Sequence, residues 1–218
     1  MEERIIISKT VRYFTFGNRD TADNIWIVLH GYSQLPAFFI RKFQQLDPEK
    51  NFVVAPEGMH RFYRKGASGR VGASWMTKEA RLDDISDNHN YLNQLANQLL
   101  KHKNYQQRFL LGFSQGGATA SRWHNSGNFN AHHFILWASV FPKDISLEEG
   151  KSGMLNSNNY FVIGESDPFF EGKHEEVQAF FNDQDFPTKI KRFDGGHDID
   201  VTTLLEIAKE CETRNEKV

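Results

Sequence analysis

Residues 110–120 read LLGFSQGGATA, an apolar run that ends in a serine held between two glycines. A Gly-x-Ser-x-Gly alone decides little, because at ordinary residue frequencies it arises by chance in about one chain in fifteen of this length. The neighbouring sequence gives it meaning. If residues 109–112 form a buried strand and a helix begins at Gln115, Ser114 occupies the turn between them. Gly112 and Gly116 then remove the side chains that would collide in so sharp a turn. Such a turn lifts a hydroxyl to the carboxyl end of a sheet, beside the free N–H groups of a helix's first turn. The same local pattern also serves as a helix-capping or phosphate-binding turn, but the lysine and hydroxyl of a P-loop are missing.

The rest of the chain supplies a sheet for that turn. Short apolar runs at 5–7, 11–16, 25–29, 52–55, 109–112, 134–138, 160–163 and 189–193 are predicted strands. The central ones are continuously apolar, as strands covered on both faces are. Helices are predicted at 36–46, 84–101, 115–124, 171–182 and 199–211, the second carrying an apolar stripe through Ile85, Leu92, Leu95 and Leu99. Alternation of strand and helix predicts an α/β class domain with a mostly parallel central sheet flanked by helices on both faces. The first two strands, close in sequence, are expected to pair antiparallel at the sheet edge. Residues 58–73, with Arg61, Arg64, Lys65 and Arg70, fit neither period and read as a long irregular excursion over the strand ends.

With 218 residues and no linker or repeat, residues 1–218 are expected to form a single domain. A formal net charge of −2 provides no basic field for nucleic acid, which is not expected as a partner. The single cysteine, Cys211, has no partner for an internal disulfide, and a reducing, cytoplasmic setting suits it. The N-terminal MEERIIISKT resembles neither a signal peptide nor a membrane span, so stable membrane insertion is not expected. His174-Glu175-Glu176 lacks the second histidine of a zinc helix, and His132-His133 would point to opposite strand faces, so no metal is expected. The sequence leaves oligomeric state open.

A serine hydroxyl needs a base to attack a carbonyl, and the base needs a group that fixes its tautomer. Two downstream strands end in such groups: YFVIGESDP places Asp167 just past the strand at 160–163, and FDGGHD places His197 past the strand at 189–193. Glu165 competes with Asp167, but Asp167 lies further beyond the strand, where reach to the histidine is expected. His30 competes with His197, but it precedes the serine, and a loop-shaping role is expected for it. The strand at 25–29 ends in His30-Gly31-Tyr32, which brings the Tyr32 N–H near the elbow; with the Gln115 N–H it forms a candidate oxyanion hole. The order serine, acid, histidine is that of α/β-hydrolases.

Together these residues resemble the phospholipase/carboxylesterase family of α/β-hydrolases, which includes the acyl-protein thioesterases. The matching stretches are His30-Gly31, Ala55-Pro56, Ser74-Trp75-Met76, GFSQGGATA, the segment Gly164-Glu165-Ser166-Asp167-Pro168, and Gly196-His197. The resemblance implies Ser114 as nucleophile, His197 as base, Asp167 as orienting acid and no cofactor. The substrate class it implies is a small-molecule carboxylic ester, thioesters included. Aromatic and apolar residues just past predicted strand ends or at the long loop, Trp75, Met76, Phe141, Phe169 and Phe170, are expected to line the substrate pocket. The chain also departs from the family: HGYSQLP stands where His-Gly-Leu-Gly-Asp is frequent, and the segment from Ala55 to Met76 differs from the stretch that shapes the thioesterase acyl channel. A lipidated-protein substrate therefore does not carry over. A peptidase or amidase on the same scaffold, and a non-catalytic ligand-binding domain, are the alternative readings.

Overall fold

Alternating residues of the central strands point to opposite faces of one sheet, and each face is covered. The computed structural model describes residues 1–126, 128–147 and 152–212. Seven strands form the sheet: β1 (Tyr13–Phe16), β2 (Asn24–Leu29), β3 (Asn51–Pro56), β6 (Gln107–Phe113), β7 (His133–Trp137), β8 (Asn158–Gly164) and β9 (Thr188–Phe193). Their spatial order is β1-β3-β2-β6-β7-β8-β9, with β1 antiparallel to β3 and the remaining pairs parallel. In β2, Ile25, Ile27 and Leu29 face one hydrophobic cluster while Trp26 and Val28 face the other.

The first cluster is closed by α2 (Arg81–His102), α3 (Gln115–Ser126) and α4 (His174–Asn182), through residues such as Leu92, Leu95, Trp123 and Phe181. The second is closed by α1 (Pro36–Phe39), the 3-10 turn that follows it at Ile40–Phe43, and α5 (Val201–Glu212), through Phe39, Phe43, Leu204 and Ile207. Both sheet faces are therefore dry, which is why the central strands read as unbroken apolar runs. The 19 phenylalanines are explained in part by a knot under α4, where Phe141, Phe161, Phe180, Phe181 and Phe186 meet edge to face or tilted.

Three sequence expectations need correction. Residues 5–7 form no strand: the three isoleucines are exposed, and β1 takes β3 as its partner instead. A β-prone run with no neighbour leaves its backbone groups to water, so propensity alone does not make it a strand. Residues 58–73 are not irregular but hold a hairpin, β4 (His60–Lys65) and β5 (Ser68–Ser74), forming a separate two-stranded sheet. Nearly all of β4 and the outer half of β5 are exposed on both faces, so no alternation of apolar residues announced them. The helix expected over 36–46 shortens to four α-helical residues and the 3-10 turn. No described helix is long and apolar enough to cross a membrane.

Two histidines are locked inside this frame. His30 and His124 are buried, and burial pushes each imidazole down to about 4. In the unfolded chain an imidazole takes its proton near pH 6.5, so between about 6.5 and about 4 the unfolded state binds protons that the fold excludes. Stability should fall as pH drops through that window, by roughly 3 kcal/mol at most for each histidine. Urea unfolding at pH 7, 5.5 and 4.5 checks this, and His124→Asn should show a shallower decline than the parent protein. An equal decline in both would contradict the assignment.

Candidate active site

Two glycines allow α3 to start where it does. A Cβ at Gly112 would lie 2.5 Å from the Gly117 Cα and 2.6 Å from the Ala120 Cβ, so α3 packs directly on β6. A Cβ at Gly116 would lie 2.4 Å from the His30 carbonyl oxygen and 2.5 Å from that of Leu29, so the same helix turn touches the end of β2. Between them Ser114 adopts φ +52°, a left-handed conformation that costs a residue with a side chain on the order of 1–3 kcal/mol. Its N–H donates to Trp137 O at 3.0 Å and its carbonyl accepts from Gly117 N–H at 2.9 Å, which hold the strained turn.

The Ser114 hydroxyl lies 2.9 Å from His197 Nε2, and His197 Nδ1 lies 2.7 Å from Asp167 Oδ2. With the ring proton on Nδ1 donated to the carboxylate, Nε2 is free to accept from the serine. Asp167 is fully buried, and its other oxygen, Oδ1, accepts from Phe169 N–H at 3.0 Å. The structure thus brings Asp167, and not Glu165, against the histidine. Glu165 is half-exposed, with His174 at 3.7 Å and Arg192 at 4.0 Å. The His197 ring stands between Phe113 and Phe169, with centroids 4.9 and 4.6 Å away. Its loop is tied down by the Trp137 indole N–H, which donates to Asp198 O at 2.9 Å, and by Lys42, whose ammonium meets the Asp198 carboxylate at 2.6 Å.

The turn after β2 runs alongside the serine: a Cβ at Gly31 would lie 3.2 Å from the Ser114 Cβ. His30 shapes that turn. Its Nδ1–H donates to Gly31 O at 2.8 Å, its Nε2 accepts from Gly58 N–H at 3.0 Å, and its carbonyl accepts from the Trp75 indole at 2.8 Å. Burial keeps the ring neutral, so this set of bonds holds one tautomer at neutral pH. Ser33 takes φ +65°, and among the described residues the N–H groups of Tyr32 and Gln115 have no acceptor.

Beside Ser114 opens a cavity of about 310 Å³, lined by Ser114, Gln115, Ala118, Ala138, Ser139, Val140, Phe169, Phe170 and His197. Phe169 and Phe170 are on its wall, whereas Trp75, Met76 and Phe141, expected there from the sequence, are elsewhere. Trp75 is fully buried in the core, Phe141 belongs to the phenylalanine knot, and Met76 faces a separate crevice with Ile85, Thr119 and Arg122. Trp75 and Met76 directly follow the hairpin's β5, whose last residues return into the core rather than to the sheet's open edge. Ala138 closes the strand expected over 134–138, and Ser139 and Val140 follow it directly; these small residues, and not the aromatic Phe141 beyond them, line the cavity. Ala138, at φ +46°, makes the turn that exposes them.

No family model and no curated protein matches this chain. Among solved structures it is similar to Zea mays acyl-protein thioesterase 2, at 17% identity and a TM-score of 0.67, covering 93% of this chain and 98% of that one. It is also similar to a Bacillus cereus carboxylesterase, at 15% identity and a TM-score of 0.64, covering 94% of each chain. A third likeness is to the esterase PE8, at 17% identity and a TM-score of 0.63, covering 93% of this chain and 99% of that one. At such identities the likeness is one of fold, and the fold is that of the α/β-hydrolases.

The elbow's glycines make a separable prediction. Gly116→Ala forces a methyl into two backbone carbonyls and should cost about 2 kcal/mol or more. Gly196→Ala, whose nearest neighbour would be 3.7 Å away, should be nearly neutral. Thermal melts of the two variants compare them directly, and equal midpoints would refute the close-packed elbow.

Proposed function

We propose that this protein is a serine hydrolase of carboxylic esters, thioesters included, of the phospholipase/carboxylesterase type, acting through an acyl-enzyme on Ser114. The observation that carries the reading is the continuous hydrogen-bonded chain from Ser114 through His197 to the buried Asp167, opening on an apolar cavity. The names of the structures similar to it, an esterase, a carboxylesterase and an acyl-protein thioesterase, support it in general outline.

In this mechanism His197 Nε2 takes the hydroxyl proton as the Ser114 oxygen attacks the ester carbonyl. Asp167 holds the ring in place and stabilises the imidazolium. The negative oxygen of the tetrahedral intermediate accepts from the Tyr32 and Gln115 N–H groups, both left without an internal acceptor. Collapse breaks the bond to the alcohol, which leaves with the proton from His197. Water then attacks the acyl-serine with His197 again as base, and the carboxylic acid is released. Ala118, Ala138, Val140, Phe169 and Phe170 make the cavity wall apolar, suited to a hydrocarbon acyl or alcohol group.

Hydrolysis of p-nitrophenyl esters from acetyl to palmitoyl tests this. Ser114→Ala should lower kcat by about a thousandfold or more, to background, and should abolish labelling by a fluorophosphonate. A folded parent protein that neither turns over the series nor labels would instead be a binding domain. His197→Ala should lower kcat comparably, because the group that takes the serine proton is gone. A kcat in that variant within a few-fold of the parent would remove His197 from that role.

A further inference from the structure

The end of β5 is fastened to both sides of the proposed oxyanion site. On one side, Ser33 N–H donates to Ala73 O at 2.9 Å and Ala73 N–H donates to Gln34 O at 3.0 Å, an antiparallel bridge that carries the Tyr32 turn. The approach is close: a Cβ at Gly72 would lie 2.6 Å from the Ser33 carbonyl oxygen. The Gln34 side chain reaches back, its Oε1 accepting from Gly31 N–H at 2.9 Å. On the other side, the Gln115 carboxamide spans the next residues of the same segment. Its Oε1 accepts from Trp75 N–H at 3.1 Å, and its Nε2 donates to Met76 O at 2.9 Å and to Ser74 Oγ at 3.0 Å. A flipped amide would set N–H against N–H and oxygen against oxygen, so the network fixes its orientation.

From this geometry we infer that residues 72–76 are a common template which sets the spacing of the two oxyanion donors, and that the Gln115 side chain is the positioning residue that locks α3's first N–H to it. The inference rests on the reading of Ser114 as nucleophile with Tyr32 and Gln115 as N–H donors. A carboxamide suits the role because it alone among side chains of this length presents a donor and an acceptor side by side, matching the N–H and C=O of Trp75 and Met76. Gln115 thereby acts twice: its backbone N–H faces the developing charge, while its side chain fixes where that N–H lies. A donor displaced by a fraction of an ångström loses strength mainly towards the tetrahedral oxygen, because that oxygen is where the charge develops. The defect should therefore appear in kcat and not in substrate affinity.

The experiment compares the parent protein with Gln115→Met and Gln34→Met, using p-nitrophenyl butyrate as substrate. Two inhibitors of the same chain length report separately: a trifluoromethyl ketone, which adds to the serine to give a tetrahedral oxyanion, and the corresponding methyl ketone, which binds without adding. Gln115→Met is expected to lower kcat by about 10- to 100-fold with KM within about threefold. The trifluoromethyl ketone should weaken by a matching factor and the methyl ketone stay within about twofold. Gln34→Met, which leaves α3 untouched, should give the same pattern through the other donor, and it carries the test should Gln115→Met fail to fold by circular dichroism. A kcat within twofold of the parent, a loss confined to KM, or equal weakening of both ketones would overturn the template while leaving the serine mechanism standing. Parent hydrolysis that survives Ser114→Ala would overturn the serine reading, and this inference with it.

Discussion

The contact on which the structure depends is that of α3's first turn against two strand ends, closer than any side chain would permit. Gly112 lets the helix rest on β6, and Gly116 lets it rest on the carbonyls of β2. Everything chemical follows from that proximity. It forces Ser114 into the left-handed region, aims its hydroxyl out of the sheet, and sets the helix's free N–H groups beside the turn after β2. A looser contact would leave the same residues present but separated.

Around that elbow the site is assembled from ends of strands rather than from one segment. β6 supplies the serine, β8 the acid, β9 the histidine, and β2 the facing turn. Parallel strands bring all four carboxyl ends to one edge, which is why residues far apart in the chain converge there. The buried, neutral His30 belongs to the frame: its ring nitrogens are committed to the backbone of Gly31 and Gly58, and its carbonyl accepts from the Trp75 indole. The network couples the hairpin to the sheet, although the two share no strand pairing.

Much of this was legible in the sequence because two-sided burial writes itself as uninterrupted apolar runs. β2, β3, β6, β7 and β8 were readable for that reason, and polar residues just past β6, β8 and the half-buried β9 marked Ser114, Asp167 and His197. Reach, rather than residue type, separated Asp167 from Glu165, whereas past the strand expected over 134–138 the choice of an aromatic, Phe141, passed over the nearer Ser139 and Val140. The hairpin was illegible because its outer residues face water on both sides, so neither period is present. Trp75 misled for a related reason: with the hairpin illegible, its place at the end of the long excursion did not show that the chain there turns back into the core. Ile5, Ile6 and Ile7 misled in the opposite direction, having strand propensity without a neighbour to bond.

The strands that carry the site are unequally protected. β6, under Ser114, is central and bonded on both sides, whereas β9, under His197, is the last strand, half-buried and paired only with β8. Lys189 and Lys191 reach Glu210 on α5, and these partly exposed ion pairs brace the strand from one side only. Local opening begins where backbone bonds are fewest and most exposed, so the margin bearing His197 frays at a lower free energy than the core bearing Ser114. On the proposed mechanism, functional lifetime under heat is then set by one border of the sheet, and a molecule can let go of His197 while its far-ultraviolet spectrum still reports an intact fold.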